Sequence, residues 1–186
     1  MLTKTTFRRS VLPLASLLTL AIAGTARASD WEIDPAHTTA TFSVRHLMVS
    51  TVKGAFEKVG GSVRLDEASP THSGMEISID AASVNTRNAQ RDGHLKSPDF
   101  FGVKTNPKAK FESTKVEKTD KGYTITGNLT LNGKTKEVAI PAEVSFAGGT
   151  LKINGAVTID KRDFGMTYGG GKIDDPVAIK VAVEAK

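Results

Sequence analysis

Cysteine is absent from the 186-residue chain. Thiol catalysis, thiolate metal sites and disulfide bridges are therefore excluded together. A chain of this length can bury a sizeable core without covalent cross-links. We therefore expect one domain that is stabilised by packing alone.

A large net charge is also absent from residues 29–186, the part of the chain that follows the N-terminal segment. Residues 1–28 contain four of the 25 Lys and Arg residues and none of the 20 Asp and Glu residues. Residues 29–186 are left with a formal net charge of +1. Charge therefore gives no support to nucleic-acid binding, and we expect no nucleic-acid partner.

Motifs that would indicate catalysis or metal binding are missing as well. No Gly-x-Ser-x-Gly elbow occurs, and His37, His46, His72 and His94 show no HxH or HExxH spacing. The run 169–172, GGGK, lacks the leading Gly and the following Ser or Thr of a phosphate loop, so it is interpreted as a turn. The sequence predicts no enzyme, no metal site and no cofactor.

Residues 1–28 have the features of a cleaved signal peptide. Lys4, Arg8 and Arg9 form a basic region ahead of the apolar run VLPLASLLTLAIAG, and residues 26–28 (ARA) form a small-x-small cleavage site. The run is short for a bilayer span, so a membrane anchor is the less favoured alternative. We expect a periplasmic or secreted protein; the adjacent arginines leave twin-arginine export open beside general secretion.

Alternation of apolar and polar residues dominates residues 29–186, the single predicted domain. Its clearest runs are 123–131, 151–159 and 177–183, and Asn132-Gly133 is a strong hairpin signal. About eight or nine strands joined by short turns predict an all-β, antiparallel fold. Without a long amphipathic helix, the apolar faces must cover one another in a closed barrel or a two-sheet sandwich.

One segment, residues 86–101 (TRNAQRDGHLKSPDFF), does not alternate. Helix-tolerant residues followed by Ser97-Pro98 predict a short helical excursion near residues 88–97, because proline disfavours helix in the residue before it. Such an excursion can close one end of a barrel. It is either a cap that completes the core, or a lid at which Arg91 and His94 hold a polar head group and Phe100 and Phe101 block the lumen.

His46 shares the inward phase of Phe42 and Val44, whereas Arg45 points outward. A buried neutral histidine needs a hydrogen-bond partner. His46 is therefore either a satisfied core residue or a contact for a ligand head group deep in the lumen. Asp34 and the nearby His37 are interpreted as a structural turn.

Six stretches of the chain carry a resemblance to a known family. In order, they are WEIDPAHTTATFSVRHLMVSTVKGAF (31–56), IDAASVNT (79–86), RDGHLKSPDFF (91–101), FESTKVEK (111–118), GNLTLNGKTKEVAI (127–140) and DFG (163–165). Together they resemble the YceI family of exported bacterial lipid-binding proteins. The resemblance implies a lipocalin-like, eight-stranded antiparallel barrel whose elongated lumen binds a long-chain amphiphile, usually a polyisoprenoid. Gly102 and the Gly-rich run 167–176 depart from the family pattern.

We therefore predict a periplasmic protein that holds a polyisoprenoid, such as an isoprenoid quinone or its precursor, for transport, storage or stress protection. The alternatives are a fatty-acid or amide binder, a barrel enzyme acting on a lipid, and a stress-related structural protein with a filled core. Transient membrane contact is compatible with such a role, and family resemblance makes a homodimer an option. The predicted ligand-binding residues are Phe42, Val44, His46, Ile79, Arg91, His94, Phe100, Phe101, Phe111, Leu129 and Val181.

Overall fold

The computed structural model describes residues 29–66 and 68–186. The predicted signal peptide, residues 1–28, lies outside the described residues. Within the described ranges, none of the helices is long and apolar enough to cross a bilayer.

The described chain forms one antiparallel sheet of eleven strands and one short α-helix. The strands are β1 (Ser29–Glu32), β2 (Thr39–His46), β3 (Ser50–Phe56), β4 (Val59–Leu65), β5 (Gly74–Asp80), β6 (Val84–Asn85), β7 (Lys108–Thr119), β8 (Gly122–Leu131), β9 (Lys134–Ala147), β10 (Thr150–Asp160) and β11 (Pro176–Ala185), and the helix is α1 (Ala89–Leu95). Their order in the sheet is β1-β4-β5-β7-β8-β9-β10-β11-β2-β3-β6. The predicted all-β, antiparallel class is confirmed.

The strand count differs from the expected eight because the sheet also includes short strands. β1 has four residues and β6 has only two. Such strands are too short for an alternating pattern to be recognised in the sequence. β4 was also easy to overlook, because its run VGGSVRL is interrupted by two glycines.

Tight hairpins connect the long strands in the middle of the sheet. Asn132 and Gly133 join β8 to β9 with φ angles of 47° and 71°. Both central residues of a type I′ turn need positive φ, which Asn and Gly adopt at low cost. The sequence signal at this position therefore predicts the right turn.

The sheet curls until its two sides meet at one end of the molecule. Ile33 forms a bridge with Ala185, and the backbone N–H groups of Glu32 and Lys186 each donate to the other residue's carbonyl at 3.0 Å. Trp31 packs edge-on against Phe146 at a ring-centroid distance of 5.2 Å. We call this end, where Trp31 and Phe146 meet, the Trp31 end.

The opposite end, here called the helix end, is built from α1 and loops. Asn88 caps α1, because its Oδ1 accepts a hydrogen bond of 2.9 Å from the Arg91 N–H. The helix ends at Leu95, shortly before Ser97-Pro98, as the predicted excursion near residues 88–97 requires. A 3₁₀ helix (Lys161–Phe164) and the loop that leads to β11 lie at the same end.

Candidate functional site

A cavity of about 140 Å³ lies on the concave side of the curled sheet. Twenty-nine of the described residues line it, and all of these except Thr41, Gly155 and Lys161 have apolar side chains. Almost no polar atom surface faces the space. Such a lining favours an apolar ligand, since a polar group placed inside would lose its water partners without replacement.

The cavity is long compared with its volume. Val177, Ile179, Val181 and Val183 of β11 all line it. At a rise of roughly 3.3 Å per strand residue, this row extends over about 20 Å. The shape is therefore a narrow slot that suits an extended hydrocarbon chain.

Local sequence explains why the inner face of β2 and β3 is aromatic. Gly54 lies directly opposite Phe42 in the β2–β3 pair. A Cβ at residue 54 would overlap Phe42 Cζ, so the glycine leaves room for the ring in its present position. Phe42 then contacts Phe56 at a ring-centroid distance of 5.8 Å, and both rings line the cavity.

The double phenylalanine after α1 closes the helix end of the cavity. Phe101 lies between Phe42 and Phe56, with ring-centroid distances of 6.5 Å and 5.3 Å. Phe100 points to the other side and contacts Tyr168 at 5.5 Å. Both phenylalanines line the cavity, and there the wall depends on side-chain packing rather than on strand pairing.

Eight of the eleven predicted ligand-binding residues lie together on the cavity wall. They are Phe42, Val44, Ile79, Phe100, Phe101, Phe111, Leu129 and Val181. The structure thus brings them to one surface, although their contact with a ligand stays a prediction. The remaining three, His46, Arg91 and His94, are not among the lining residues.

The Arg91 guanidinium forms hydrogen bonds within the protein. Its Nε donates to Thr86 Oγ1 at 2.8 Å, and its terminal Nη2 donates to the Thr86 carbonyl at 3.0 Å. Asp92 Oδ1 accepts from the N–H of the same threonine at 2.9 Å. These bonds connect α1 to the preceding residues of the chain, and Arg91 is not among the residues that line the cavity.

The two histidines lie at the helix end, outside the lumen. His94 Nε2 is hydrogen-bonded to Asp99 Oδ2 at 2.8 Å, and its ring packs edge-on against Phe100 and Tyr168. His46 is half-buried at the end of β2 and forms an isolated bridge with Ile173. Its position is at the edge of the cavity rather than deep in the lumen, where a head-group contact was expected.

Lys161 is a cavity residue that the sequence interpretation missed. Its side chain is only 4% exposed, and its Nζ donates to Asp175 Oδ1 at 2.6 Å. Because the ammonium is turned toward Asp175, the surface that Lys161 gives to the cavity is almost entirely methylene. A signal existed: Lys161 continues the inward phase of Ile153, Val157 and Ile159 on β10.

Neighbouring charges complete a small ionic cluster around Asp175. Arg162 Nε lies 3.2 Å from Asp175 Oδ2, and the Arg162 guanidinium also binds Asp160. The Arg162 side chain, followed by its backbone N–H, lowers the pKa of Asp160 to about 2. Within the described ranges, no group of three or more His, Asp or Glu side chains could hold a metal ion.

Comparison with known proteins places this chain in a recognised family. A model of the YceI-like domain matches residues 31–185. A UPF0312 protein of Serratia proteamaculans is 36% identical over 187 residues, with 95% of this chain and 96% of that protein covered. A UPF0312 protein of Pseudomonas aeruginosa is also 36% identical, with 95% and 97% coverage.

Solved structures show the same architecture. Burkholderia cenocepacia BcnA aligns with a TM-score of 0.78 at 27% identity, covering 83% of this chain and 99% of BcnA. The Campylobacter jejuni YCEI protein aligns with a TM-score of 0.65 at 30% identity, with 76% and 89% coverage. A polyisoprenoid binding domain from Saccharophagus degradans aligns with a TM-score of 0.68 over 84% of this chain, but its 15% identity supports the fold alone.

Proposed function

The chain belongs to the YceI family, and we propose that it is a periplasmic binding protein for a polyisoprenoid, such as an isoprenoid quinone or its precursor. The observation that carries the proposal is the long cavity with an almost wholly apolar wall. The polyisoprenoid binding domain of Saccharophagus degradans shares the fold, and the ligand class in its name is the one we propose for this cavity. Transport, storage and stress protection are all roles that such a binder can serve.

Affinity in this cavity would come from burying hydrocarbon. Each buried methylene contributes about 0.8 kcal/mol, so ten of them give a gross gain of about 8 kcal/mol. Ordering the ligand and the side chains around it reduces that gain. Binding of this kind needs no covalent chemistry, and the polar side chains that could have served catalysis (Arg91, His94 and His46) lie outside the cavity lining.

The wall chemistry also determines how a ligand is oriented. A polar head group inside the lumen would find almost no polar atom to contact. The prenyl chain therefore lies in the cavity, and the head group remains at the helix end, where His46, His94 and Tyr168 offer polar atoms. The polar atoms at the edge of the cavity then determine the orientation of the ligand, and the apolar interior determines its affinity.

A neutral fatty amide is the second candidate, and the ionic cluster favours it over a free fatty acid. Lys161 is already neutralised by Asp175, and Arg162 by Asp160 and Asp175. A ligand carboxylate placed beside Lys161 and Arg162 would add a negative charge that neither of these two cations is free to pair. The open cavity disfavours a structural protein with a filled core.

Extraction of the natively purified protein with organic solvent, followed by mass spectrometry, tests the proposal. A stoichiometric prenyl lipid is the expected result. A stoichiometric fatty acid or amide would keep the binding mechanism and overturn the ligand class. An empty extract, together with failure of added prenyl quinone to bind, would overturn the function.

A further inference from the structure

We propose that the helix end docks on an anionic phospholipid membrane through the turn between β2 and β3. Leu47, Met48 and Val49 form the tip of this turn, here called the rim tip. The inference goes beyond the proposed lipid-binding function, and its test does not require a ligand in the cavity.

Exposed apolar side chains are concentrated at this end. Met48 is 74% exposed and Val49 is 87% exposed, and Leu47 and Tyr168 are each about half exposed. Among the described residues, Phe146 is the other large exposed apolar side chain, and at the Trp31 end it packs against Trp31. Solvated apolar groups gathered at one end of a molecule are typical of an interaction surface.

The backbone of the rim tip is unsuited to the residues that occupy it. Leu47 and Met48 have φ angles of 53° and 56°, and the Val49 N–H donates to the His46 carbonyl at 3.3 Å. Positive φ at both central residues is the pattern of the Asn132-Gly133 turn in the same chain. Asn and Gly adopt it readily, whereas bulky apolar residues are strained there. The requirements of the turn therefore do not explain Leu47 and Met48, which indicates a role for their side chains outside the fold.

The charges around the rim tip match an anionic surface. Arg45 donates from Nη2 to the Met48 carbonyl at 2.8 Å, so its guanidinium lies at the tip. The Leu47 N–H donates to the Lys172 carbonyl at 2.7 Å, which brings the backbone of a second basic residue beside the tip. Residues 43–56 and 164–173 contain no carboxylate. The next carboxylates in the chain are Asp174 and Asp175. The Asp174 N–H donates to the Arg45 carbonyl, and the Asp175 carboxylate forms ion pairs with Lys161 and Arg162.

The rim tip is continuous with the cavity wall. Val44, on the strand that leads into the turn, lines the cavity, and so does Ile173, which bridges to His46. Insertion of the tip into the head-group region would bring the loop-built wall of the cavity against the bilayer. Apolar side chains flanked by basic residues bind at such interfaces, and Tyr168 beside them suits the same environment. A phospholipid surface therefore fits this end better than a protein partner.

Vesicle flotation of the purified protein tests the proposal. The probes are vesicles of phosphatidylglycerol with phosphatidylethanolamine and, for comparison, vesicles of phosphatidylcholine. We expect the protein to float with the anionic vesicles, less with phosphatidylcholine, and less as salt is raised. The double variant Met48→Asp/Val49→Asp should reduce binding at least tenfold.

Two further variants separate docking from folding and from charge. Leu47→Asn/Met48→Gly restores favoured turn residues, so it should melt at or above the temperature of the unchanged protein and still lose vesicle binding. Ala147→Asp adds one acid at the exposed last residue of β9, at the Trp31 end, and should bind as before. Absent flotation, equal flotation on phosphatidylcholine, or flotation unaffected by both tip variants would overturn the proposal. Self-association that the tip variants abolish, without vesicle binding, would overturn it in favour of a second copy.

Discussion

Lys161 and Asp175 form an ion pair, with 2.6 Å between Nζ and Oδ1, at the wall of a cavity that is otherwise apolar. The pair joins the 3₁₀ helix after β10 to the residue that precedes β11. The backbone N–H of Lys161 also donates to the Asp175 carbonyl at 2.9 Å. Two connections between the same residues therefore fix the loop 165–175, which carries Tyr168 and Ile173.

Replacing Lys161 with Met tests how much this buried pair stabilises the fold. Removing one partner of a buried pair costs several kcal/mol, but Asp175 is 31% exposed and keeps Arg162. We expect the free energy of unfolding to fall by about 1–3 kcal/mol, measured by urea denaturation at neutral pH.

A matched control uses the pair Lys152–Glu184, which has the same N–O distance of 2.6 Å but whose lysine side chain is 47% exposed. Lys152→Met should change the free energy of unfolding by less than about 1 kcal/mol, as exposed pairs do. Equal effects of the two substitutions would contradict a special contribution from burial.

Enlarging Val181 to Phe tests whether the cavity is the ligand site. Val181 lines the open space, so an added ring can enter it, and we expect ligand binding to fall much more than stability. Leu129→Phe should behave in the same way. The measurement is the amount of lipid extracted per mole of protein, together with the urea unfolding midpoint.

Leu151→Phe is the control for Val181→Phe, because it enlarges a core residue away from the cavity. Leu151 is fully buried and does not line the cavity. Leu151→Phe should overpack the core and cost about 1–3 kcal/mol of unfolding free energy. A comparable loss of stability in Val181→Phe, with ligand content unchanged, would mean that no usable space exists beside Val181.

The sequence predicts which residues face inward better than it predicts what they do there. Alternation fixes the face of Phe42, Val44 and Val181, because side chains in a strand point alternately to opposite sides. It does not tell how far the sheet curls or how much space is left inside. The cavity volume depends on the packing of many side chains and becomes visible only in three dimensions.

Polar side chains were the harder part of the site to predict. Arg91 lies in the non-alternating segment, which makes it a head-group candidate. In the structure, however, its guanidinium donates hydrogen bonds to the hydroxyl and the carbonyl of Thr86. The sequence does not predict Lys161 as a cavity residue, although its phase is inward, because a charged residue at a strand end is ordinarily solvated. Its partner Asp175 is 14 residues away. The partners of long, flexible charged side chains depend on which groups the tertiary structure brings near them, and local sequence does not show this.

Asp160 provides a pH test with a definite sign. Its pKa is lowered from 3.8 to about 2 by the Arg162 side chain and backbone, so the ionised form is stabilised in the folded state. The contribution is fully present above the ordinary carboxyl pKa and is lost as the pH falls through the lowered one. We expect Asp160→Asn to reduce stability at pH 6 and to differ little from the unchanged protein near pH 2. Urea unfolding across this range is the measurement, because urea adds no ions that would screen the Arg162–Asp160 pair. A difference independent of pH would contradict the prediction.

Truncating the double phenylalanine distinguishes a lid from a cap. Phe100 is 7% exposed within a cluster that includes Phe164 and Met166, so Phe100→Ala should cost about 3–5 kcal/mol. Phe101 is half-buried at the margin of the same cluster and contacts Phe42 and Phe56, so Phe101→Ala should cost less and open the wall there. A lid predicts that Phe101→Ala accelerates transfer of a fluorescent prenyl lipid to acceptor vesicles severalfold, with little change in the amount bound. A cap predicts an unchanged transfer rate, because the ligand would then pass elsewhere and residue 101 would serve only the packing of the helix end.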